Sequence, residues 1–301
     1  MYDILIIGAG PAGLSAAIYA VRAGLSVAVF EKMFAGGQVV STYEIENYPG
    51  MVDALTGPDL AYKLEAHARK FNVPIIYEEI VELSLEGDKK IVRTAKGEYS
   101  AAGIILAMGA NPKPLGLPRE KQLIGSGVGY CATCDGAFFA NKDVAVVGSG
   151  NTAVEDALFL ARFCNKVYLI HRRDILRADN ILVKRIAAEP KIQVIQDSIV
   201  TEIHGEKVES LTIENVKTGF VENLDVRALF VAVGTAPKTD IVKGLVNMTP
   251  SGHIITDENM RTNVAGVYAA GDIRDKLLRQ VITAVSDGAI AATVFANEFS
   301  R

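Results

Sequence analysis

The chain has few cysteines, no long apolar run and no block of like charge, and each shortage removes a class of protein. Three cysteines in 301 residues cannot staple a disulfide scaffold, and in a reducing compartment a close Cys pair is more often catalytic or metal-binding than structural. No apolar stretch of 18 residues occurs, so no membrane-spanning helix is expected. Met1 leads directly into Tyr2-Asp3-Ile4-Leu5-Ile6-Ile7-Gly8. That apolar run is too short for a signal peptide and has no basic residues ahead of it, which points to the cytoplasm. The formal net charge is -4 with both signs spread along the chain. Nucleic acid and anionic lipid, which need a continuous basic stripe, are therefore not expected partners.

What is present is apolar and periodic. Hydrophobic residues make up 50% of the chain, and its length is about twice the usual single domain, so two domains are expected, each able to bury a core. Residues 2–7 read as a buried parallel strand, being short, β-branched and bounded by glycine. The strand feeds Gly8-Ala9-Gly10-Pro11-Ala12-Gly13, then a small-residue helix closed by Gly24, then a second strand over residues 26–30 that ends at Glu31. This is a complete dinucleotide-binding βαβ unit. Its glycines serve a tight turn, close approach of backbone to pyrophosphate, and close packing of helix on strand.

The pattern recurs. Residues 143–147 lead into Gly148-Ser149-Gly150-Asn151-Thr152-Ala153, a helix over residues 154–163 and a strand over residues 166–170. Ala153 replaces the third glycine. Glu31 lies 23 residues after Gly8, and the residue 23 after Gly148 is His171, followed by Arg172 and Arg173 with Arg177 one helical turn on. A carboxylate at that place accepts hydrogen bonds from two ribose hydroxyls and repels phosphate, so the first copy fits FAD or NAD. Arginines there offer bidentate donors to a 2′-phosphate, so the second copy fits NADP rather than a merely solvated basic turn. Both copies close alike, in Ala107-Met108-Gly109-Ala110-Asn111-Pro112 and Ala232-Val233-Gly234-Thr235-Ala236-Pro237. The duplication spans most of the chain.

About sixty residues remain, including Val267-Tyr268-Ala269-Ala270-Gly271-Asp272 and a helix over residues 282–299. An acid at the carboxyl end of a parallel strand points into the ligand crevice, where Asp272 meets a ribityl or ribose hydroxyl. The economical solution returns this tail to the first domain. The expected fold is α/β, with two Rossmann-like three-layer nucleotide-binding domains and the second inserted in the first. Residues 1–112 and 242–301 form one domain and residues 113–241 the other, joined by crossing strands near residues 112–116 and 238–243 that would act as a hinge.

Cys131-Ala132-Thr133-Cys134-Asp135-Gly136 falls just after the first crossing, where a helix N-terminus would lower a thiol pKa. Structural zinc needs four ligands, yet the remaining cysteine, Cys164, sits in an apolar helix and is expected only to pack. A static disulfide does not suit the cytosol, and redox exchange is the preferred reading. Asp135 is a candidate general acid, with an N-terminal helix cap as its alternative or additional role.

Taken together these motifs resemble the low-molecular-weight thioredoxin reductases of bacteria and archaea, within the pyridine nucleotide-disulfide oxidoreductases, essentially end to end. The likeness also covers Gly36-Gly37-Gln38, Glu44-Ile45-Glu46-Asn47-Tyr48-Pro49-Gly50, His171-Arg172-Arg173-Asp174 with Arg177-Ala178, Ala270-Gly271-Asp272 and Arg279-Gln280-Val281. It implies that FAD is lined by Gly8, Gly10, Pro11, Ala12, Gly13, Glu31, Lys32, Gly36, Gly37, Gln38, Asn47, Gly109, Gly271, Asp272, Arg279, Gln280 and Val281. NADPH would fall to Gly148, Gly150, Asn151, Thr152, Ala153, His171, Arg172, Arg173 and Arg177. It further implies a homodimer, with Cys134 against the flavin, Cys131 attacking the disulfide of thioredoxin, Asp135 supplying the proton, and no metal. The sequence departs from the family at Asn151, often acidic, and at Met108, often threonine. The rivals are the reductase of a peroxidase system, which usually carries a thioredoxin-like domain not found ahead of Tyr2, a ferredoxin-linked flavin reductase without NADPH, and a flavin-bearing redox sensor.

Overall fold

The computed structural model describes residues 2–42, 45, 47–53 and 55–299. Contacts divide the chain into two units, Met1–Asn111 with Ala236–Arg301, and Pro112–Thr235. In chain order the elements are β1 (Tyr2–Ile7), α1 (Pro11–Arg22), β2 (Val27–Glu31), α2 (Gly57–Lys70), β3 (Ile75–Tyr77), β4 (Ile80–Ser84), β5 (Lys90–Thr94), β6 (Glu98–Leu106) and β7 (Ala110–Pro112). Next come β8 (Val128–Gly129), α3 (Ala132–Asp135), β9 (Asp143–Val147), α4 (Asn151–Ala161), β10 (Lys166–Ile170), α5 (Asn180–Ala188), β11 (Ile192–Ile195), β12 (Ser198–His204), β13 (Ser210–Asn215), β14 (Val221–Asp225) and β15 (Ala228–Val231). Finally β16 (Thr235–Pro237), β17 (Val267–Ala269) and α6 (Val281–Phe299) complete the chain.

In the first unit β1 pairs in parallel with β2 and β6, and β2 with β3. The nine-residue β6 serves two partners on its other edge. Its start carries antiparallel β5, and through it β4, while Ile104–Leu106 carries parallel β17. The chain's tail thus completes the first sheet. Alternation along β1 feeds two cores: Ile4 and Ile6 pack with the small residues of α1 and α6, and Leu5 and Ile7 with Leu83, Val92, Val242 and Ile254. A strand buried on both faces reads as one unbroken apolar run. Each such side chain contributes about 1.5–3 kcal/mol by leaving water.

The second unit repeats the plan. Its sheet runs β11-β10-β9-β15-β8, all parallel, matching β3-β2-β1-β6-β17 strand for strand. Val144 and Val146 pack under α4 and α5, whereas Ala145 and Val147 face the antiparallel β12-β13-β14 layer. Helices, parallel sheet and antiparallel sheet make three layers.

Two boundaries differ from expectation. The second unit ends at Thr235 rather than residue 241, because Thr239 Oγ1 donates to the Gly252 carbonyl at 2.9 Å and Val242 lies in the first unit's core. The linking strands are β7 and β16, earlier than the segments 112–116 and 238–243. They pair with each other, and Lys113 N–H to Gly234 O and Lys238 N–H to Gly109 O extend the pairing. Helix α4 likewise begins at Asn151, three residues earlier than expected, directly on Gly150. Among the described residues no helix is long and apolar enough to cross a membrane.

Candidate functional site

Each glycine loop ends on a helix start whose N–H groups face outward from the cap. Gly10 and Gly150 are the N-caps of α1 and α4, both extended and both without a side-chain cap hydrogen bond. Such N-termini suit an anion. At Gly8 φ is +104°, and a Cβ there would lie 2.4 Å from the Ala107 carbonyl oxygen; one on Gly13 would lie 1.8 Å from that of Gly8. Pro11 occupies the first turn and Ala12 is buried. Gly36 and Gly37, both at positive φ, bring the next loop to Gly10, where a Cβ would stand 3.9 Å from Gly37 Cα. Two facing glycines leave a cradle of bare backbone. Gln38 donates through its side chain to the carbonyl of Ala110, next to Gly109.

Glu31 closes β2 with its carboxylate turned back on the loop, accepting the N–H groups of Ala9 at 3.0 Å, Lys32 at 2.8 Å and Met33 at 3.2 Å. Lys32 itself pairs with Glu79. From the far end of the chain, Gln280 accepts the Asn47 side-chain amide at 3.1 Å, and Val281 opens α6. Asp272 Oδ1 and Arg279 Nε are buried and have no hydrogen-bond partner among the described residues. Burial raises the Asp272 carboxyl above its usual range, against the pull of Lys276 and Arg279. Polar atoms left bare in the interior are expensive and mark a place for a polar ligand. These residues therefore fit the polyhydroxyl chain and pyrophosphate of a flavin dinucleotide. Glu44 and Glu46 of the neighbouring motif lie outside the described residues.

Asp287 was missed by the sequence reading. This α6 carboxylate is 5% exposed and accepts Gly271 N–H at 3.0 Å, Arg274 at 3.1 Å and Lys276 at 2.7 Å. It ties residues 271–276 to the helix. The available signal was a single acid within the otherwise uncharged run Val281-Ile282-Thr283-Ala284-Val285-Ser286-Asp287-Gly288.

In the second unit Ala153 takes the third glycine's place, with Cβ close packed at Gly148. Asn151 does not face the loop's ligand side alone: its amide exchanges two hydrogen bonds of 2.8 Å with Asp179, while Thr152 stays exposed. Arg177 N–H reaches the Ser149 carbonyl at 2.6 Å, fastening the basic turn to the glycine loop. Arg172, Arg173 and Arg177 are exposed, and the adjacent Asp174 lies 3.7 Å from Lys217. His171 is 3% exposed, and neither ring nitrogen has a hydrogen-bond partner among the described residues. Burial lowers its pKa against the opposing charges of Asp197 and Asp174, so the ring is neutral at pH 7. Exposed arginines beside an uncapped helix start fit a phosphorylated ribose.

Cys131 and Cys134 form a disulfide with Cα atoms 5.3 Å apart. Cys131 is the N-cap of α3, and its Sγ accepts Cys134 N–H at 3.1 Å. Cys131 is half-buried and Cys134 exposed. Asp135 heads the following 3-10 turn without a side-chain cap bond, so the capping alternative is not realised. Its Oδ2 lies where a Cβ on Gly129 would come within 3.2 Å. Cys164 is buried, gives its S–H to the Phe139 carbonyl and has its pKa pushed up to about 11. It packs, as expected.

A doubled parallel-sheet nucleotide fold carrying a disulfide between cysteines three residues apart at a helix start defines a nucleotide-linked disulfide oxidoreductase. The sequence profile of the pyridine nucleotide-disulphide oxidoreductases matches residues 2–288, and the chain belongs to that family. It is 47% identical over 300 residues to a thioredoxin reductase of Peptoclostridium acidaminophilum, covering 97% of this chain and 95% of that one. The crystal structure of Lactococcus lactis thioredoxin reductase superposes with a TM-score of 0.96 at 42% identity, over 99% of this chain and 100% of that chain. That of T. acidophilum thioredoxin reductase gives 0.95 at 32% identity, over 100% and 99%.

Proposed function

We infer that the chain is a thioredoxin reductase, passing electrons from NADPH by way of FAD and the Cys131–Cys134 pair to the disulfide of thioredoxin. The observation that carries this reading is the disulfide itself, set at the start of α3 in a unit whose glycine loop and basic turn suit NADPH. FAD and NADPH supply the two-electron reduction that opens the pair; the rest falls to side chains of the chain. We assign FAD to the first unit through Gly8, Gly10, Gly13, Glu31, Asp272 and Arg279, and NADPH to the second through Gly148, Gly150, Arg172, Arg173 and Arg177.

Once the pair is a dithiol, the Cys131 thiolate attacks one sulfur of the partner disulfide and expels the other as a thiolate. Cys134 then attacks Cys131 in the mixed disulfide, releasing the second partner thiolate and restoring the bridge. Two electrons and two protons leave the enzyme per cycle, and we assign to Asp135 the transfer of a proton to a departing sulfur. The Cys134 N–H donated to Cys131 Sγ stabilises the attacking thiolate. The exposed basic turn speaks for NADPH over a ferredoxin donor. We further assign a homodimer working in the cytoplasm, where nicotinamide keeps the pair cycling.

The test is steady-state oxidation of NADPH and NADH with thioredoxin present. Turnover requiring thioredoxin separates a reductase from a sensor, which would be reduced once. Cys131→Ser should abolish thioredoxin reduction while flavin bleaching by NADPH survives; continued turnover in that variant would refute the assignment.

A further inference from the structure

The segment leading to the redox pair is wrapped around a buried carboxylate. Glu120 is 1% exposed. Its Oε1 accepts Leu115 N–H at 2.9 Å and the Tyr130 hydroxyl at 2.7 Å, and its Oε2 accepts Gly116 N–H at 2.7 Å and Leu117 N–H at 3.1 Å. A carboxylate that deep is costly unless its lone pairs are filled, and these four donors fill them. Three belong to one turn, which Gly116 allows by adopting φ +82°. A local turn needs no more than those three. The fourth comes from the residue directly before Cys131.

That residue has a narrow position in the chain. Strand β8 ends at Gly129, paired with Phe230, and Cys131 is already the cap of α3 with φ -141° and ψ 96°. Tyr130 is the single residue between sheet register and cap. Its ring packs with Leu115 and Leu117 on the core that holds Val128 and Leu123. Burial and the neighbouring carboxylate raise its hydroxyl well above the ordinary phenol range, so it remains a donor wherever the enzyme is folded.

We propose that Glu120 is a positioning residue for the redox pair: by holding the Tyr130 hydroxyl it keeps Cys131 in the cap conformation, where the Cys134 N–H meets its sulfur, and so governs how readily the Cys131 thiolate forms. Nothing is transferred at Glu120; the Cys131 proton goes to solvent, and the carboxylate acts only through Tyr130. The proposal rests on the reading of Cys131 as the attacking thiol. Its test reads that thiol without any partner protein.

Tyr130→Phe breaks the link while leaving every charge in place and the ring in its pocket. In holoenzyme carrying Cys134→Ser, the rate of Cys131 alkylation by iodoacetamide is followed against pH, with and without Tyr130→Phe. The hydroxyl deletion should move the profile to higher pH and slow alkylation about three- to tenfold at pH 7, with the high-pH plateau unchanged. A profile that stays in place, whether or not the melting temperature falls, would overturn the proposal and leave Glu120 a structural anchor. Failure of the reductase reading would show elsewhere, as thioredoxin turnover surviving Cys131→Ser.

Discussion

Replacing Asp287 by asparagine conserves its volume and removes its charge, so its effect isolates the buried ion cluster. Oδ2 accepts both Gly271 N–H and Lys276 Nζ, and Oδ1 accepts Arg274. An amide keeps one acceptor and turns its NH2 on the guanidinium 3.1 Å away, donor against donor. Lys276 and Arg274 side chains are 8% and 13% exposed, so neither regains much water. Removing one partner of such a buried pair costs about 3–5 kcal/mol. At about 2–4 °C per kcal/mol for a unit of this size, the first unit's transition should fall by about 6–20 °C. Calorimetry on the holoenzyme reads this directly. Because Gly271 precedes Asp272, bound flavin should also be lost more readily on dilution. Lys276→Met on the Asp287→Asn background should restore part of the loss, since the orphaned ammonium is gone. A melting point within about 1 °C of the parent, or strictly additive losses in the double variant, would refute this reasoning.

Other perturbations follow from the same geometry. Burial in α4, with Glu155 adjacent, raises Asp156 to about 7. Its contribution to stability is therefore present below the unfolded value near 3.8 and fades as pH rises through 7. Asp156→Asn should flatten that decline and stabilise the second unit at pH 8 by about 2–4 kcal/mol, measured by denaturant titration at pH 5 and 8. His171 works in the opposite sense: its lowered pKa means stability is lost as pH falls below about 6.5, and His171→Gln should blunt that loss between pH 6.5 and 5. Arg172→Ala with Arg173→Ala should raise the KM for NADPH about ten- to a hundredfold and leave that for NADH near the parent value. Gly288→Val, whose Cβ would stand 2.0 Å from the Ala12 carbonyl oxygen, should prise α6 from α1 and cost at least about 3 kcal/mol, seen as loss of soluble, flavin-bearing protein.

Much of this architecture is readable in the chain because its signals are local. A strand, a glycine turn and a helix start within the first 22 residues announce the first nucleotide loop, and the same spacing later exposes the second. Glu31 and His171 are found by counting from a glycine. The antiparallel layers β4-β5 and β12-β13-β14 went unread, since largely exposed strands such as Val221–Asp225 carry weak alternation. Glu120 sits in Pro118-Arg119-Glu120-Lys121, which looks like solvated surface; only the fold shows that its partners are a turn and a tyrosine ten residues on. Asp287 offers only its isolation in an uncharged run, because its cations lie across a loop.

The late arrival of β17 has a consequence for how the polypeptide is made. Its partner β6 ends at Leu106, and Val267 leaves the ribosome roughly 160 residues afterwards, about 8–32 s at ordinary elongation rates. Throughout that interval the growing first sheet presents the bare edge of β6, the kind of open strand that invites wrong neighbours. The second unit, by contrast, is contiguous from Pro112 to Thr235 and can mature as it emerges. The half that begins first is finished last, so a ribosome that stalls before residue 267 releases one sound lobe tethered to an unzipped one.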